Sequence, residues 1–288
     1  MGPGAACDGV RDASVTLQHE RKIASLGLAD SPLAEKVDDP ETYSLCATRA
    51  ARDEKNLERA RSLRDTGAEG CRIMAVDTVT GGNTGSMPAR IDDEVGLLKA
   101  LVLLIGARVI LRSNLSVEAG MVNGMVGTVI DILYAPGTAP PNPPLGVVVA
   151  VPACKYRGPA WNGNVARDFE PGMDENGQPL LKLVVITPKR ADFAWRRRPA
   201  SRLQLPLELA WAITIHKSQG LGLKYVILDL GTLEQEKRSP GLAYVALTRA
   251  LLGWEGIAFD PVPEVDPDTG CMPRFADMGS AKLTMRRA

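Results

Sequence analysis

The stretch Leu205–Leu221 reads LPLELAWAITIHKSQGL, an apolar run followed by a compact set of polar groups. Apolar residues recur on one helical face and Pro206 stands near the favoured first-turn position, so the spacing predicts a helix that ends at Gly220. Hydroxyl, imidazole and ammonium groups suit phosphate oxygens, and a glycine lets a phosphate approach the backbone closely. The stretch therefore predicts a phosphate-binding helix end, with a solvated helix end and a glycine cap as the simpler alternative.

Predicted strands and helices alternate on both sides of this stretch. Such alternation favours an α/β sheet domain that carries an insertion. The predicted elements are a strand at Tyr43–Thr48, a helix capped by Thr48 that runs to about Arg64, a strand at Cys71–Val76, a strand at Tyr225–Leu230, a helix at Leu242–Leu251 and a strand at Gly256–Phe259.

The middle of the chain is rich in short β-type runs separated by glycine, proline and asparagine. The pair Asn123-Gly124 predicts a type I′ hairpin, because both central residues of that turn need positive φ. The block over residues 97–200 therefore predicts a small antiparallel barrel or sandwich. Its β-type runs are Val109–Leu111, Val126–Leu133, Val147–Val151 and Leu181–Ile186.

These patterns predict the fold class and the domain organisation. We expect an α/β protein whose parallel-sheet domain is interrupted by a small antiparallel, β-barrel-like insertion. The sheet domain takes residues 41–96 and 201–260, and the insertion takes residues 97–200. Residues 1–40 are predicted to be a weakly ordered lead-in and residues 261–288 a proline-rich tail.

The composition sets limits on the class of protein. The 288 residues are 45% apolar and 24% charged, which is ordinary for a soluble globular protein. No apolar run is long enough to cross a bilayer, and the N-terminus lacks the apolar core of a signal peptide, so we expect an intracellular protein without a membrane partner. Five scattered cysteines and two histidines argue against a disulfide framework and a zinc site, and no metal site is predicted.

Because 34 basic and 34 acidic residues cancel, a nucleic-acid partner must be inferred from local charge. The segment Lys189–Arg202 holds six basic residues against the single acid Asp192. Such a cluster can line a DNA path, with Phe193 and Trp195 as stacking platforms. A solvated, partly disordered loop, with the two aromatic residues anchoring it, is the alternative.

The polar end of the opening stretch resembles motif V of the superfamily one DNA helicases of the petite-integration-frequency (PIF) type, relatives of the RecD-like enzymes. Ala243–Ala250, AYVALTRA, resembles their motif VI. Ile105–Asn114 and Gly120–Val129 are similar to the β-barrel insert of these helicases, and Leu45–Asn56 resembles their motif IV region more loosely. The resemblance covers about residues 41–260, and it implies a RecA-like sheet domain and the C-terminal portion of an ATP-dependent DNA helicase.

The resemblance also implies roles for individual residues. Arg249 is expected to reach the γ-phosphate of ATP as an arginine finger, for which a planar, permanently charged group is suited. The alternative for Arg249 is a surface arginine without a ligand. The alternative for Arg49 is an arginine that only begins a helix. The implied contacts are Gln219, Gly220 and Arg49 to the nucleotide, and Thr214, His216, Lys217 and Ser218 to single-stranded DNA.

A helicase of this class also needs a P-loop, Gly-x-x-x-x-Gly-Lys-[Ser/Thr], and this sequence contains no such string. Gly81–Ser86 is glycine-rich but lacks the lysine, and Asp92–Glu94 does not follow an apolar strand. The resemblance therefore implies that ATP and Mg²⁺ are held by an N-terminal P-loop core domain, supplied in cis or in trans. The chain alone is predicted to be inactive.

In an intact enzyme the resemblance implies ATP-driven movement along one strand in the 5′-to-3′ direction. It also implies a role in DNA repair, recombination or telomere maintenance, in the nucleus or mitochondrion if the source is eukaryotic. The rival hypothesis is a catalytically inactive fragment that binds single-stranded nucleic acid.

Overall fold

The computed structural model describes residues 25–81, 90–165, 169–232, 238–239 and 241–263. These residues form fourteen strands, in one parallel and three antiparallel sheets. The strands are β1 Thr42–Cys46, β2 Gly70–Met74, β3 Val76–Val79, β4 Ala100–Leu104, β5 Arg108–Leu111, β6 Val126–Leu133, β7 Gly146–Pro152, β8 Leu181–Ile186, β9 Lys189–Trp195, β10 Arg198–Gln204, β11 Leu207–Leu209, β12 Ala212–Thr214, β13 Tyr225–Asp229 and β14 Ile257–Phe259.

The helical elements are fewer and mostly short. The longest begins as predicted beside Thr48, whose side-chain hydroxyl accepts a hydrogen bond from the backbone N–H of Ala51 at 3.1 Å. No helix in the described ranges is long and apolar enough to cross a bilayer. The α-helices are α1 Arg49–Asp65, α2 Arg90–Val95 and α3 Leu242–Leu247, and the 3-10 helices are η1 Leu28–Asp30, η2 Pro32–Lys36, η3 Ile215–Ser218 and η4 Gly253–Gly256.

The chain divides into two compact units. Of the described residues, unit 1 takes those up to Leu57 and from Trp211 onward, and unit 2 takes those within Glu58–Ala210. The predicted insertion, residues 97–200, lies within unit 2, which also contains residues 58–96 because β2 pairs with β4 and β3 pairs with β10. Most of the predicted lead-in and nearly all of the predicted tail lie outside the described residues.

Unit 1 is built on a four-stranded parallel sheet in the order β12-β1-β13-β14. The strands are nearly continuous apolar runs because a parallel sheet is covered on both faces. Leu45, Ile213, Val226 and Leu228 are completely buried in its core. The parallel sheet with flanking helices confirms the predicted α/β class.

The helix predicted over Pro206–Gly220 is wrong. The chain there forms β11 and β12 and only then the short 3-10 helix η3. The backbone of β11 pairs with β5, and that of β12 pairs with β1. A short, nearly continuous apolar run fits a buried strand as well as a buried helix, and long-range strand pairing decided between them.

Unit 2 contains only antiparallel strand pairs among the described residues. A five-stranded sheet runs β11-β5-β6-β7-β8, a three-stranded sheet runs β3-β10-β9, and β2 pairs with β4. All four β-type runs predicted for the middle of the chain are strands of the five-stranded sheet.

The turn at Asn123-Gly124 is not the predicted type I′ turn. Gly124 has a φ of 93°, but Asn123 is not among the residues with positive φ. The backbone N–H of Met125 donates to the carbonyl of Val122 at 3.0 Å, so the turn has the pattern of type II, which needs positive φ only at its second central residue. A loop of fourteen residues, 112–125, therefore separates β5 from β6 instead of a tight hairpin.

Candidate functional site

The carboxyl edge of the parallel sheet in unit 1 collects the polar residues of the opening stretch. β12 ends at Thr214, opposite Cys46 at the end of β1, and η3 begins immediately afterward. In open α/β sheets, ligands bind outside the carboxyl ends of the strands. His216 projects from η3 into solvent, whereas Thr214 and Lys217 are half-buried.

Ser218 holds η3 together from the inside. Its side chain is fully buried, and its hydroxyl donates a hydrogen bond to the carbonyl of Ile215 at 2.7 Å. The predicted contact between this hydroxyl and DNA does not fit this placement, because the group has no exposed surface to offer a phosphate. A small polar side chain at this position is explained by the tight turn that it closes.

Gln219 and Gly220 follow η3 and are both exposed. Gly220 has a φ of 81°, a left-handed conformation in which other residues are strained. A Cβ atom built there would meet no atom of the described structure within 4 Å, so the space beside this backbone is open. The glycine thus serves the turn and leaves room for a ligand at the backbone.

Arg249 lies just beyond α3, two residues after the helix ends. The predicted helix over residues 242–251 is therefore longer than the observed one. The guanidinium is half-buried and donates to the carbonyl of Val245 at 3.2 Å, to the hydroxyl of Thr248 at 3.0 Å and to the carbonyl of Leu221 at 3.4 Å. All three acceptors are neutral, and no carboxylate among the described residues forms an ion pair with Arg249, so these contacts orient its positive charge.

The motif V and motif VI segments are joined within unit 1. η3 packs against α3, and the backbone N–H of Leu223 donates to the carbonyl of Arg249 at 2.9 Å. Leu251 returns a backbone hydrogen bond to Leu223 at 2.8 Å. The structure thus brings Arg249 against the chain that directly follows Gly220.

Arg49 is the exposed first residue of α1, three positions after β1 ends. Because β1 is the neighbour of β12 in the parallel sheet, Arg49 begins its helix at the same edge from which η3 departs. Its predicted contact with the nucleotide remains a prediction.

Sequence reasoning missed a second polar group at this edge. Asp229 ends β13 directly opposite Cys46, and its carboxylate accepts the backbone N–H of Gly231 at 3.0 Å. Burial, followed by the negative charge of Asp229, raises the pKa of the Cys46 thiol to about 12. An acidic residue at the end of the apolar run Tyr225–Leu230 is the signal that could have found this position.

Lys55 and Asp260 form an ion pair in the same unit, with Nζ and Oδ2 2.8 Å apart. Burial acts to lower the pKa of Lys55, but the hydrogen bond and charge of Asp260 outweigh it, so the pKa is raised. The negative charge of Asp229 raises the pKa of Lys55 further, so this lysine stays protonated.

The basic segment Lys189–Arg202 is a β-hairpin in unit 2, so its interpretation as a partly disordered loop is wrong. Arg202 is completely buried, and its guanidinium contacts Asp77 at 2.7 Å and Asp92 at 2.5 Å. A buried arginine between two carboxylates is part of the fold and cannot line a DNA path.

The acidic run Asp92–Glu94 lies in α2 and serves the same network. Besides the contact of Asp92 with Arg202, Arg112 forms ion pairs with Asp93 and with the buried Glu208. No group of three or more potential metal ligands occurs in the described ranges. Most of the predicted glycine-rich loop Gly81–Ser86 lies outside those ranges.

Comparison with known proteins agrees with this arrangement. The family described as the UvrD-like helicase C-terminal domain matches residues 209–252, which include both η3 and Arg249. Curated relatives and solved structures of Pif1-type helicases also match the chain. The resemblance inferred from the sequence is thereby confirmed.

Two curated relatives illustrate the match. The ATP-dependent DNA helicase PIF1 of Homo sapiens is 30% identical over 214 residues, which is 73% of this chain and 26% of that protein. The ATP-dependent DNA helicase PIF7 of Trypanosoma brucei brucei is 35% identical over 156 residues, which is 50% of this chain and 14% of that protein. The chain thus spans about a quarter or less of the length of these relatives.

Solved structures extend the likeness across the fold. A crystal structure of Pif1 helicase from Candida albicans matches 98% of this chain and 57% of that one, with a TM-score of 0.60 and 22% identity. A Bacteroides Pif1 helicase in complex with ADP-AlF3 and single-stranded DNA matches 98% of this chain and 53% of that one, with a TM-score of 0.56 and 21% identity. These likenesses confirm the RecA-like α/β fold.

Proposed function

We propose that this chain is the C-terminal part of an ATP-dependent DNA helicase that moves 5′ to 3′. The observation that carries the proposal is the hydrogen bond from the Arg249 guanidinium to the carbonyl of Leu221, beside Gly220. This hydrogen bond links the motif VI arginine to the motif V turn. A change in the position of Arg249 on ATP binding or hydrolysis would therefore shift the turn that carries the proposed DNA contacts. Repair, recombination and telomere maintenance are the processes that we propose for the full-length enzyme.

Arg249 is the proposed arginine finger. Its guanidinium already has a fixed direction, because three neutral acceptors hold it, and its charge is available to stabilise negative charge that develops on a transferred phosphoryl group. The exposed Gln219 and the open backbone at Gly220 fit the edge of a nucleotide site, and we propose Arg49 as an additional phosphate contact. When bound, ATP supplies the free energy for movement along DNA.

We propose that single-stranded DNA is held by Thr214, His216 and Lys217. These residues offer a hydroxyl donor at the end of β12 and imidazole and ammonium donors in η3, at the carboxyl edge of the sheet. Ser218 supports them indirectly, since its buried hydroxyl closes η3. The Bacteroides relative solved with single-stranded DNA supports this class of ligand.

The phosphate cradle and the Mg²⁺ ligands are proposed to come from a P-loop core domain in cis or in trans. The sequence contains no P-loop string, and the described residues contain no group that could hold a metal ion. We propose that this chain contributes one side of the ATP site and that the P-loop domain contributes the magnesium-binding side.

An assay of the chain with and without a P-loop domain tests the proposal. The 288-residue chain alone should bind single-stranded DNA without hydrolysing ATP, and addition of the P-loop core domain of a relative should produce DNA-stimulated hydrolysis. Hydrolysis of ATP by the chain alone would contradict the proposal that a separate P-loop domain supplies the phosphate cradle and the Mg²⁺ ligands. DNA binding with no hydrolysis under any condition would instead support the rival function, a fragment that only binds single-stranded nucleic acid.

A further inference from the structure

The tip of the β9–β10 hairpin has an unusual backbone for its sequence. Trp195 pairs with Arg198 across a two-residue turn, and the central residues Arg196 and Arg197 have φ values of 48° and 63°. Two positive φ angles define the type I′ turn, which favours Asn-Gly because a Cβ atom is strained in the left-handed region. Two arginines are therefore among the less favourable choices for this turn.

The rest of the hairpin is firmly held, so the strain is maintained by the fold. β10 pairs with β9 on one side and with β3 on the other. At the base, the buried Arg202 contacts Asp77 and Asp92. Because Arg196 and Arg197 are themselves exposed, packing does not explain their presence. Strained backbone positions cluster at functional sites, so we look for a ligand that these two side chains could bind.

The charge at the tip is available to a partner. The guanidinium of Arg196 lies over the ring of Trp195 at 5.3 Å. Among the described residues, no carboxylate forms an ion pair with Arg196 or Arg197. Trp195 therefore orients an arginine, and its covered face is not open for the base stacking that the sequence suggested.

We propose that this tip is a second contact to the phosphate backbone of single-stranded DNA, made by Arg196 and Arg197. The inference rests on the proposed function, and it adds a site in unit 2 to the one at η3 in unit 1. Guanidinium groups bind phosphate through paired N–H donors, which suits two neighbouring phosphates on one strand. The contact of Arg196 with Trp195 orients one guanidinium, and a phosphate ligand would explain why both positions of the strained turn carry arginine.

The test replaces the turn by the sequence that its backbone prefers. In the 288-residue chain, the double variant Arg196→Asn/Arg197→Gly removes both charges and should keep or raise the melting temperature. Fluorescence anisotropy with a labelled oligothymidylate at several salt concentrations should show weaker binding. The slope of log K against log salt should fall in magnitude by about 1.4, since each phosphate contact to a single strand contributes roughly 0.7.

Two matched controls accompany this variant. Arg196→Lys/Arg197→Lys keeps both charges and should keep most of the salt slope. Lys155→Gln/Arg157→Gln removes two exposed charges elsewhere in unit 2 and should leave affinity unchanged. Unchanged affinity and slope in the Asn-Gly variant would overturn the inference, and so would a lower melting temperature. Tighter binding of polyglutamate than of the oligonucleotide, lost in the variant, would assign the tip to an acidic protein instead.

A variant of the motif V turn separates this inference from the proposed function. If His216→Ala/Lys217→Ala loses DNA binding and the Asn-Gly variant does not, the tip inference fails while the proposed function stands. If only the Asn-Gly variant loses affinity, the tip is sustained and the DNA role of η3 fails. No binding by the wild-type chain would overturn both.

Discussion

Two arginines, one in each unit, show how the same side chain serves different purposes. Arg202 in unit 2 is completely buried and lies between the carboxylates of Asp77 and Asp92. Arg249 in unit 1 is half-buried and donates to two carbonyls and a hydroxyl, with no carboxylate partner among the described residues. The first charge is neutralised by the fold, whereas the second is oriented and remains available for an anionic ligand.

The comparison depends first on Arg249. In a helicase assembled from this chain and a P-loop core domain, Arg249→Ala should lower ATP turnover about a thousandfold or more, because an arginine finger contributes roughly 10³–10⁵ in rate. Affinity for single-stranded DNA should stay close to that of the parent protein. Steady-state hydrolysis and anisotropy measure the two quantities, and nearly normal turnover would make Arg249 an ordinary surface arginine.

The opposite behaviour is expected of Arg202. Replacing it by methionine leaves Asp77 and Asp92 without their partner, and breaking a buried ion pair on one side costs about 3–5 kcal/mol. Urea unfolding of the chain should show this loss. Arg198→Met, at an exposed position of the same strand, is the matched control and should change the free energy of unfolding by less than about 0.5 kcal/mol. Equal effects of the two substitutions would remove the contrast between buried and available arginines.

Two lysines of unit 1 extend the comparison to the binding of single-stranded DNA. Lys217→Ala should weaken binding of single-stranded DNA and reduce the magnitude of the salt slope by about 0.7, the contribution of one phosphate contact. Lys224→Ala should have little effect, because Lys224 lies outside the proposed DNA site. Titrations at several salt concentrations measure both, and an unchanged slope for Lys217→Ala would remove it from the proposed site.

The effect expected at Cys46 is absent at neutral pH. Because its pKa in the folded protein is about 12, against an ordinary value of 9.0, the folded state binds more protons than the unfolded state between these values. The thiol should therefore not affect stability below pH 9, and it should lower the free energy of unfolding as the pH rises above 9. Urea unfolding from pH 8 upward should show a smaller decline for Cys46→Ala than for the parent chain, and parallel curves would contradict the shift.

Local signals predicted the strands that are bounded by turn residues. Val126–Leu133 and Leu181–Ile186 were predicted to the residue, because short β-type runs between glycine, proline and asparagine leave few alternatives. The helix predicted after Pro206 was wrong because a short apolar run fits a helical face and a buried strand equally well, and only the partners β5 and β1 settle its conformation. The type I′ turn was assigned to Asn123-Gly124 on composition, whereas the backbone places it at Arg196-Arg197.

The sequence predicted some features of the candidate site and not others. The residue types of the motif V and motif VI segments made Arg249, Gly220, His216 and Lys217 candidates without coordinates. The burial and the hydrogen-bond partners of these residues could not be predicted from the sequence, because they depend on chain segments that lie far apart in it. Ser218 shows the difference, since its hydroxyl was an expected DNA ligand and is instead the buried closure of η3.

The sequence by itself determined the family, the α/β class and the set of groups able to meet phosphate, since these follow from residue types and their local order. Only the tertiary structure decided which of those charges are available. Arg202 and Arg249 have the same side chain, but Arg202 lies between the carboxylates of Asp77 and Asp92, whereas the acceptors of Arg249 among the described residues are neutral. A charge is neutralised by whatever lies within a few ångströms, and a linear sequence does not specify those distances.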